Sequence, residues 1–214
     1  NNEASSKYLN ALFRGLSQFS LSNVNVNNIQ YDQLKHFDLL ILRDLRSLSS
    51  GLNSELTNYI ALGGNVLIFP GEDIDKETYN GLFKSIGANT ITDWNPNEKS
   101  VYRINTSEFV FENVFENNQT NLKLPVTTGN YNTTNFSNKA SEFLLKYRDG
   151  QDYLKKYNYE KGHLYFCVSP LDRSYNDLTT NAEIFVPLLY KLGFSSKQDD
   201  KLSCIIGQDN LMTV

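Results

Sequence analysis

The chain has 214 residues, with 20 Lys and Arg against 24 Asp and Glu, a formal net charge of −4 at pH 7, and 40% hydrophobic residues that include 13 Phe and 13 Tyr. That aromatic content excludes a disordered tail, which lacks the apolar surface to offset its ordering entropy, and the length suffices for one large domain or two small ones. Mild acidity excludes a general nucleic-acid binder, because displacing counterions from phosphates takes clustered basic residues, and the basic clusters here are only Arg43 with Arg46 and Lys155 with Lys156.

In chain order, residues 5–19 read as an amphipathic helix. Ser5 or Ser6 can cap it, and Tyr8, Leu9, Leu12, Phe13, Leu16 and Phe19 recur at helical spacing. Val24 and Val26 form a short alternating segment among Asn residues. The continuous apolar run over 37–42 then fits a strand buried on both faces. Leu52, Leu56, Tyr59 and Ile60 line one face of a second helix that stops at Gly63-Gly64, and residues 65–69 follow as a second buried strand ended by Pro70-Gly71. A third helix runs from about Asp75 to Ser85, with Gly87 as its stop. Strand, helix, strand, helix at this spacing predicts parallel strands joined by right-handed crossovers.

From about 88 to 160 the texture becomes β-rich, with short stretches such as 100–104, 108–111 and 142–147 among polar loops and scope for a small second sheet. Order returns in a buried strand within 162–170 and a helix over about 181–192, where Thr180 and Glu183 have capping-box spacing, Gly193 is the stop and Pro187 predicts a kink or a break near Phe185. The domain expected is 1–195, with the β-rich part as an insertion. Residues 196–214, including a strand-like run at 202–207, read as an edge strand or the start of a following segment. The chain opens on a helix where a doubly wound domain opens on a strand, so the first strand is expected upstream of Asn1.

The run 37–45, the helix ending at Gly63-Gly64 and the segment 65–71 together resemble the class I glutamine amidotransferase-like fold, a flavodoxin-like, three-layer, doubly wound and mostly parallel α/β sandwich. The order of Asn121-Leu122-Lys123-Leu124-Pro125, the Tyr131 segment, the run 159–165, Ser169-Pro170-Leu171-Asp172 and the run 185–190 resembles the extracytoplasmic region of BatA-like membrane proteins of Bacteroidetes, over about residues 5–195. That resemblance implies a periplasmic region of an inner-membrane protein, touching the membrane only through helices outside this segment. It also implies protein partners in the cell envelope, such as von Willebrand A domain proteins. No run in the sequence approaches the roughly 18 to 20 apolar residues that span a bilayer, and residues 1–6 lack the basic and apolar regions of a signal peptide.

Active amidotransferases of this fold place a Cys on a sharp strand-to-helix turn with a His-x-Glu pair downstream. Here the turn is Pro70-Gly71-Glu72-Asp73, His163 is followed by Leu164-Tyr165, and His36 precedes the first strong strand, so the resemblance implies a non-catalytic domain. Cys167 and Cys204 lack the neighbours of a structural zinc site, and Cys167 in its apolar run reads as a buried, inert thiol. The Thr127-Thr128-Gly129-Asn130 stretch with Thr133-Thr134 is similar to a flavin phosphate loop but lies in the wrong part of the chain, and reads as an ordinary polar loop. No motif implies a cofactor or a metal.

Ligands of open α/β sheets bind beyond the carboxyl ends of the parallel strands, which selects Arg43 and Asp44, Glu72 and Asp73, and Ser169 with Asp172 and Arg173. The plainer alternative is that Asp73 or Asp75 caps the next helix while Arg43, Asp172 and Arg173 form solvated ion pairs. Three functions follow. The first is a non-catalytic interaction or ligand-sensing domain, and the second a hydrolase of sugar or peptidoglycan-type substrates using Glu72, Asp73 or Asp172. The third is a carbohydrate-binding module using exposed aromatics, with 109–115 and 147–159 as candidate stretches that equally suit core packing.

Overall fold

The computed structural model describes residues 3–16, 18–115, 122–135 and 140–195; the expected strand at 202–207 and Cys204 lie outside them. The described helices are α1 (Glu3–Arg14), α2 (Ser50–Ala61), α3 (Lys76–Ser85) and α4 (Ala182–Ser195). The strands are β1 (Leu39–Arg43), β2 (Asn65–Phe69), β3 (Ile91–Asn95), β4 (Lys99–Ile104), β5 (Val126–Thr127), β6 (Asn130–Thr133), β7 (Ser141–Tyr147), β8 (Asp152–Tyr159) and β9 (Gly162–Cys167).

A seven-stranded mixed sheet in the order β1-β2-β9-β8-β7-β4-β5 carries the fold, and β3 with β6 makes a separate pair. The expected parallel unit is present as β1, β2 and β9. Most of the β-rich middle third does not stand apart from it: β8, β7, β4 and β5 extend the same sheet by antiparallel pairing. Every residue of β2 is buried, so helices or loops cover both faces there, as its unbroken apolar run requires. β1 departs from expectation. All five of its residues are only half-buried, because it is the edge strand, with β2 as its single ladder partner.

α2 forms because Ser49 Oγ accepts the Leu52 N–H at 3.1 Å and because Leu52, Leu56, Tyr59 and Ile60 share its buried face. α3 is capped by Asp75, whose carboxylate accepts the Glu77 N–H at 3.2 Å, and its Phe83 ring meets Phe166 of β9 edge-on at 4.9 Å. The segment 108–111 is a set of turns rather than a strand, with Phe111 N–H on the Glu108 carbonyl at 2.9 Å, which lets the adjacent Val110 and Phe111 both be buried. α1 ends at Arg14, short of the predicted limit.

α4 revises three expectations. It runs through Pro187 without the break expected near Phe185. Its first bonds run from Ile184 and Phe185 to the Asn181 carbonyl, while Thr180 Oγ1 donates to Asp177 O at 2.7 Å and closes the preceding turn, so Thr180 does not head a capping box. Gly193 lies inside α4 and is a point of close approach: a Cβ there would stand 2.6 Å from the Phe19 ring.

A close backbone approach joins β9 to the end of α2. A Cβ on Gly162 would lie 2.2 Å from the Ile60 carbonyl oxygen and 2.4 Å from that of Gly64, neither of which is the movable end of a side chain. Gly162→Ala is expected to destabilise the protein by about 3 kcal/mol, as overpacking against backbone does. Urea denaturation checks this, and a loss below about 1 kcal/mol would show that the helix end can yield.

Candidate functional site

Register brings the candidate residues together. Arg43 pairs with Phe69 across β1 and β2, and Ile68 pairs with Phe166 across β2 and β9, so three parallel strands end level and their following loops share one rim. Asp44, first beyond β1, holds φ 54°, left-handed backbone that costs a non-glycine residue about 1 kcal/mol. Its N–H continues the ladder to the Phe69 carbonyl at 3.1 Å. Its carboxylate takes the Arg43 guanidinium at 3.1 Å, with both side chains largely covered. Burial raises the Asp44 carboxyl above its usual range; Arg43 opposes this and the charge of Asp172 adds to it, so Asp44 and Asp172 feel one another across the rim.

The β2 loop supplies Glu72 and Asp73, both exposed. The Glu72 backbone carbonyl accepts the Tyr131 hydroxyl. Its carboxylate faces the Tyr175 phenol, an interaction that pushes Tyr175 up to about 12. Asp73 faces Arg46 at 3.5 Å in a pair that is more than four-fifths exposed, the solvated ion pair of the plainer reading. Asp75 is the helix cap.

The β9 loop divides its candidates. Ser169 is buried and its hydroxyl donates to Gly129 O at 2.7 Å, so it braces the loop rather than the rim surface. Asp172 closes its own turn by accepting the Ser174 N–H at 2.8 Å, a bond that holds its carboxyl below the usual range. Arg173 turns to α1, donating to Tyr8 Oη at 3.1 Å. The rim therefore unites Arg43, Asp44, Glu72 and Asp172, and sets Ser169, Asp73 and Arg173 to other tasks.

Three aromatic residues complete the rim, and sequence reading had not selected them. Trp94 of β3 meets Tyr131 of β6 at 4.9 Å and Tyr175 at 5.5 Å, both edge-on. Gly129 permits this, because a Cβ there would stand 2.4 Å from the Trp94 ring and 2.8 Å from Tyr175. Trp94 and Tyr175 remain half-exposed. By contrast, Phe111, Tyr147, Tyr153 and Tyr157 from the two candidate aromatic stretches are fully buried core residues. The one available signal was compositional: Trp94 is the only tryptophan of the chain.

Carboxylates, phenols, an indole and a guanidinium on one rim can hydrogen-bond hydroxyl groups and stack on an apolar face. Cys167 is buried and burial pushes its thiol up to about 12, which suits the inert reading. His36 is exposed in a 3-10 turn (Tyr31–His36), and His163 lies within β9, 6.0 Å from the Tyr165 ring. Among the described residues there is no group of three or more His, Cys, Asp and Glu able to hold a metal ion.

No protein-family model and no curated protein matches the sequence. Among solved structures, the chain is similar to a cytoplasmic protein from Salmonella typhimurium LT2, at TM-score 0.68 and 12% identity over 89% of this chain and 86% of that one. It is also similar to a ThuA-like protein from Bacteroides uniformis, at TM-score 0.66 and 17% identity over 93% and 85%. A β-galactosidase from Bacillus circulans matches at TM-score 0.61 and 13% identity over 90% of this chain but 27% of the enzyme. The fold is class I glutamine amidotransferase-like, as the resemblance implied, and it is shared with the ThuA-like protein. The implied periplasmic location is overturned, since the Salmonella typhimurium neighbour sharing the fold over most of both chains is a cytoplasmic protein, and nothing in these comparisons carries the BatA-like context. No helix among the described residues is long and apolar enough to cross a membrane.

The raised Asp44 carboxyl fixes the sign of a pH effect. The folded state holds that proton more tightly than the unfolded state, so the stability Asp44 contributes is full below the usual carboxylate range and is lost as pH rises through it. Asp44→Asn copies the protonated form and tolerates the left-handed backbone. Relative to wild type, the variant is expected to be more stable at pH 7 than at pH 3, read from urea midpoints of both proteins. The opposite trend would show that the Arg43 pair outweighs burial.

Proposed function

We propose that the protein is a non-catalytic ligand-binding domain whose rim, at the carboxyl ends of β1, β2 and β9, takes a carbohydrate. The observation that carries the reading is the Glu72–Tyr175–Trp94 arrangement packed on buried Tyr131, where a carboxylate facing a phenol stands next to two half-exposed aromatic rings. Sugars present C–H faces that stack on such rings and hydroxyls that donate to carboxylates. The recurrence of the fold within a β-galactosidase supports the ligand class.

A binding role is favoured over turnover by the state of the three carboxylates proposed for acid–base work. Glu72 is engaged by Tyr175, Asp73 by Arg46 and Asp172 by the Ser174 N–H, so no pair of them is set up as a free acid and a free base. We further read the sheet as the middle layer of a doubly wound, three-layer domain, a reading supported by the complete burial of β2.

A glycan array probed with the intact protein, followed by calorimetric titration of its best hit, tests the proposal. Binding is expected, with Glu72→Gln and Trp94→Ala each weakening it at least tenfold, about 1.4 kcal/mol. Glu72 is exposed, so its variant should fold even where the Trp94 variant does not. Absence of binding, or binding indifferent to Glu72→Gln, would contradict the reading. Turnover of a nitrophenyl galactoside that is lost in Glu72→Gln would favour the hydrolase instead.

A further inference from the structure

Away from the rim, a concave feature opens between the small β3–β6 pair and the β7–β8 hairpin. It is a pocket of about 310 Å³ whose lining includes Thr133, Thr134, Lys146, Gln151, Asp152 and Lys155. Its charge does not balance. Lys155 Nζ lies 3.0 Å from one Asp152 carboxylate oxygen and Lys146 Nζ 3.4 Å from the other, so two ammonium groups share a single carboxylate and, among the described lining residues, a net charge of +1 is left. This excess sits in a chain whose overall charge is −4.

The excess is not solvated away. The side chains of Lys146, Asp152 and Lys155 are 32%, 18% and 16% exposed, which strengthens the interaction of the surplus charge with any anion entering. Lys155 also donates to Asn89 Oδ1 at 3.1 Å, which fixes the ammonium in place. Lys146 Nζ has a 3.4 Å ion pair and a position 4.9 Å from the Phe143 ring, but this ammonium donates no hydrogen bond among the described residues, so its N–H donors remain for a ligand. The Gln151 side-chain oxygen accepts from Lys99, which leaves its NH2 as a further donor. The hydroxyl of Thr134 is held by the Thr90 N–H at 3.0 Å at the mouth of β6.

The fixed Lys155 ammonium, the unengaged donors of Lys146, amide and hydroxyl groups, and a single carboxylate between the two lysines form a cradle for a tetrahedral oxyanion. We propose that this pocket binds a phosphoryl group, held by Lys146 and Lys155 with help from Gln151. The source is either free inorganic phosphate or the monoester of a larger molecule. The site is separate from the sugar-binding reading of the rim and does not rest on it, although β6 links the two, with Tyr131 at the rim and Thr133 at the pocket.

The test is a two-dimensional NMR titration of the intact protein with inorganic phosphate, with glucose 6-phosphate, and with sodium chloride at matched ionic strength. The expected result is saturable shifts of the Thr134, Gly150 and Gln151 amides with both phosphates and not with chloride. Lys146→Gln, at a partly exposed position whose loss should leave the fold intact, is expected to weaken binding at least tenfold, and Lys155→Gln to do so more strongly. Tighter binding of glucose 6-phosphate than of phosphate identifies a monoester site, and equal binding a site for the free anion. Shifts reproduced by chloride, no saturable shift, or binding unchanged in Lys146→Gln would overturn the proposal.

Discussion

The level register of three parallel strands is the constraint on which the site depends. With Leu39 opposite Asn65 and Asn65 opposite His163, β1, β2 and β9 begin and end together, and loops that are far apart in sequence are delivered to one edge. A slip of one residue would turn every β2 side chain to the other face and move Asp44 away from the Phe69 carbonyl. Gly162 helps to hold this register, because β9 can start level with β2 only where no side chain separates it from the end of α2.

That same edge concentrates strain and charge. Asp44 keeps a left-handed backbone and a carboxyl that burial disfavours in its charged form, and both persist because the Arg43 contact and the extra ladder bond over-determine its position. Tyr79, fully buried, braces the turn by donating to the Leu45 carbonyl at 2.6 Å. Tyr131 ties the β2 loop to β6 through the Glu72 carbonyl, so the aromatic cluster and the acidic loop form one unit.

Much of this was legible in the sequence, and the exceptions share a cause. The apolar runs of β2 and β9 and the helical stripes of α2 and α3 stand out because burial on one or both faces imposes a period. The rim residues Arg43, Asp44, Glu72 and Asp172 followed from a positional rule about strand ends. Ser169 and Arg173 obey the same rule yet point elsewhere, since their partners, Gly129 and Tyr8, are supplied by distant segments. Trp94, Tyr131 and Tyr175 come from two short polar strands and a loop, with no periodicity to announce them. The role of the middle third as antiparallel extensions of the main sheet was hidden for a similar reason, because pairing partners are long-range information.

The central claim is that the carboxyl-end rim is a single ligand site with the Trp94 cluster as its floor. Trp94 is the chain's only tryptophan, so its fluorescence reports on that floor without interference from another indole. The most direct measurement is a fluorescence titration of the wild-type protein with galactose and with mannose, each against a non-sugar polyol at equal concentration. The account predicts a saturable change in Trp94 emission with at least one of the sugars and none with the polyol. A flat response to both sugars, or a change that the polyol reproduces, would contradict it.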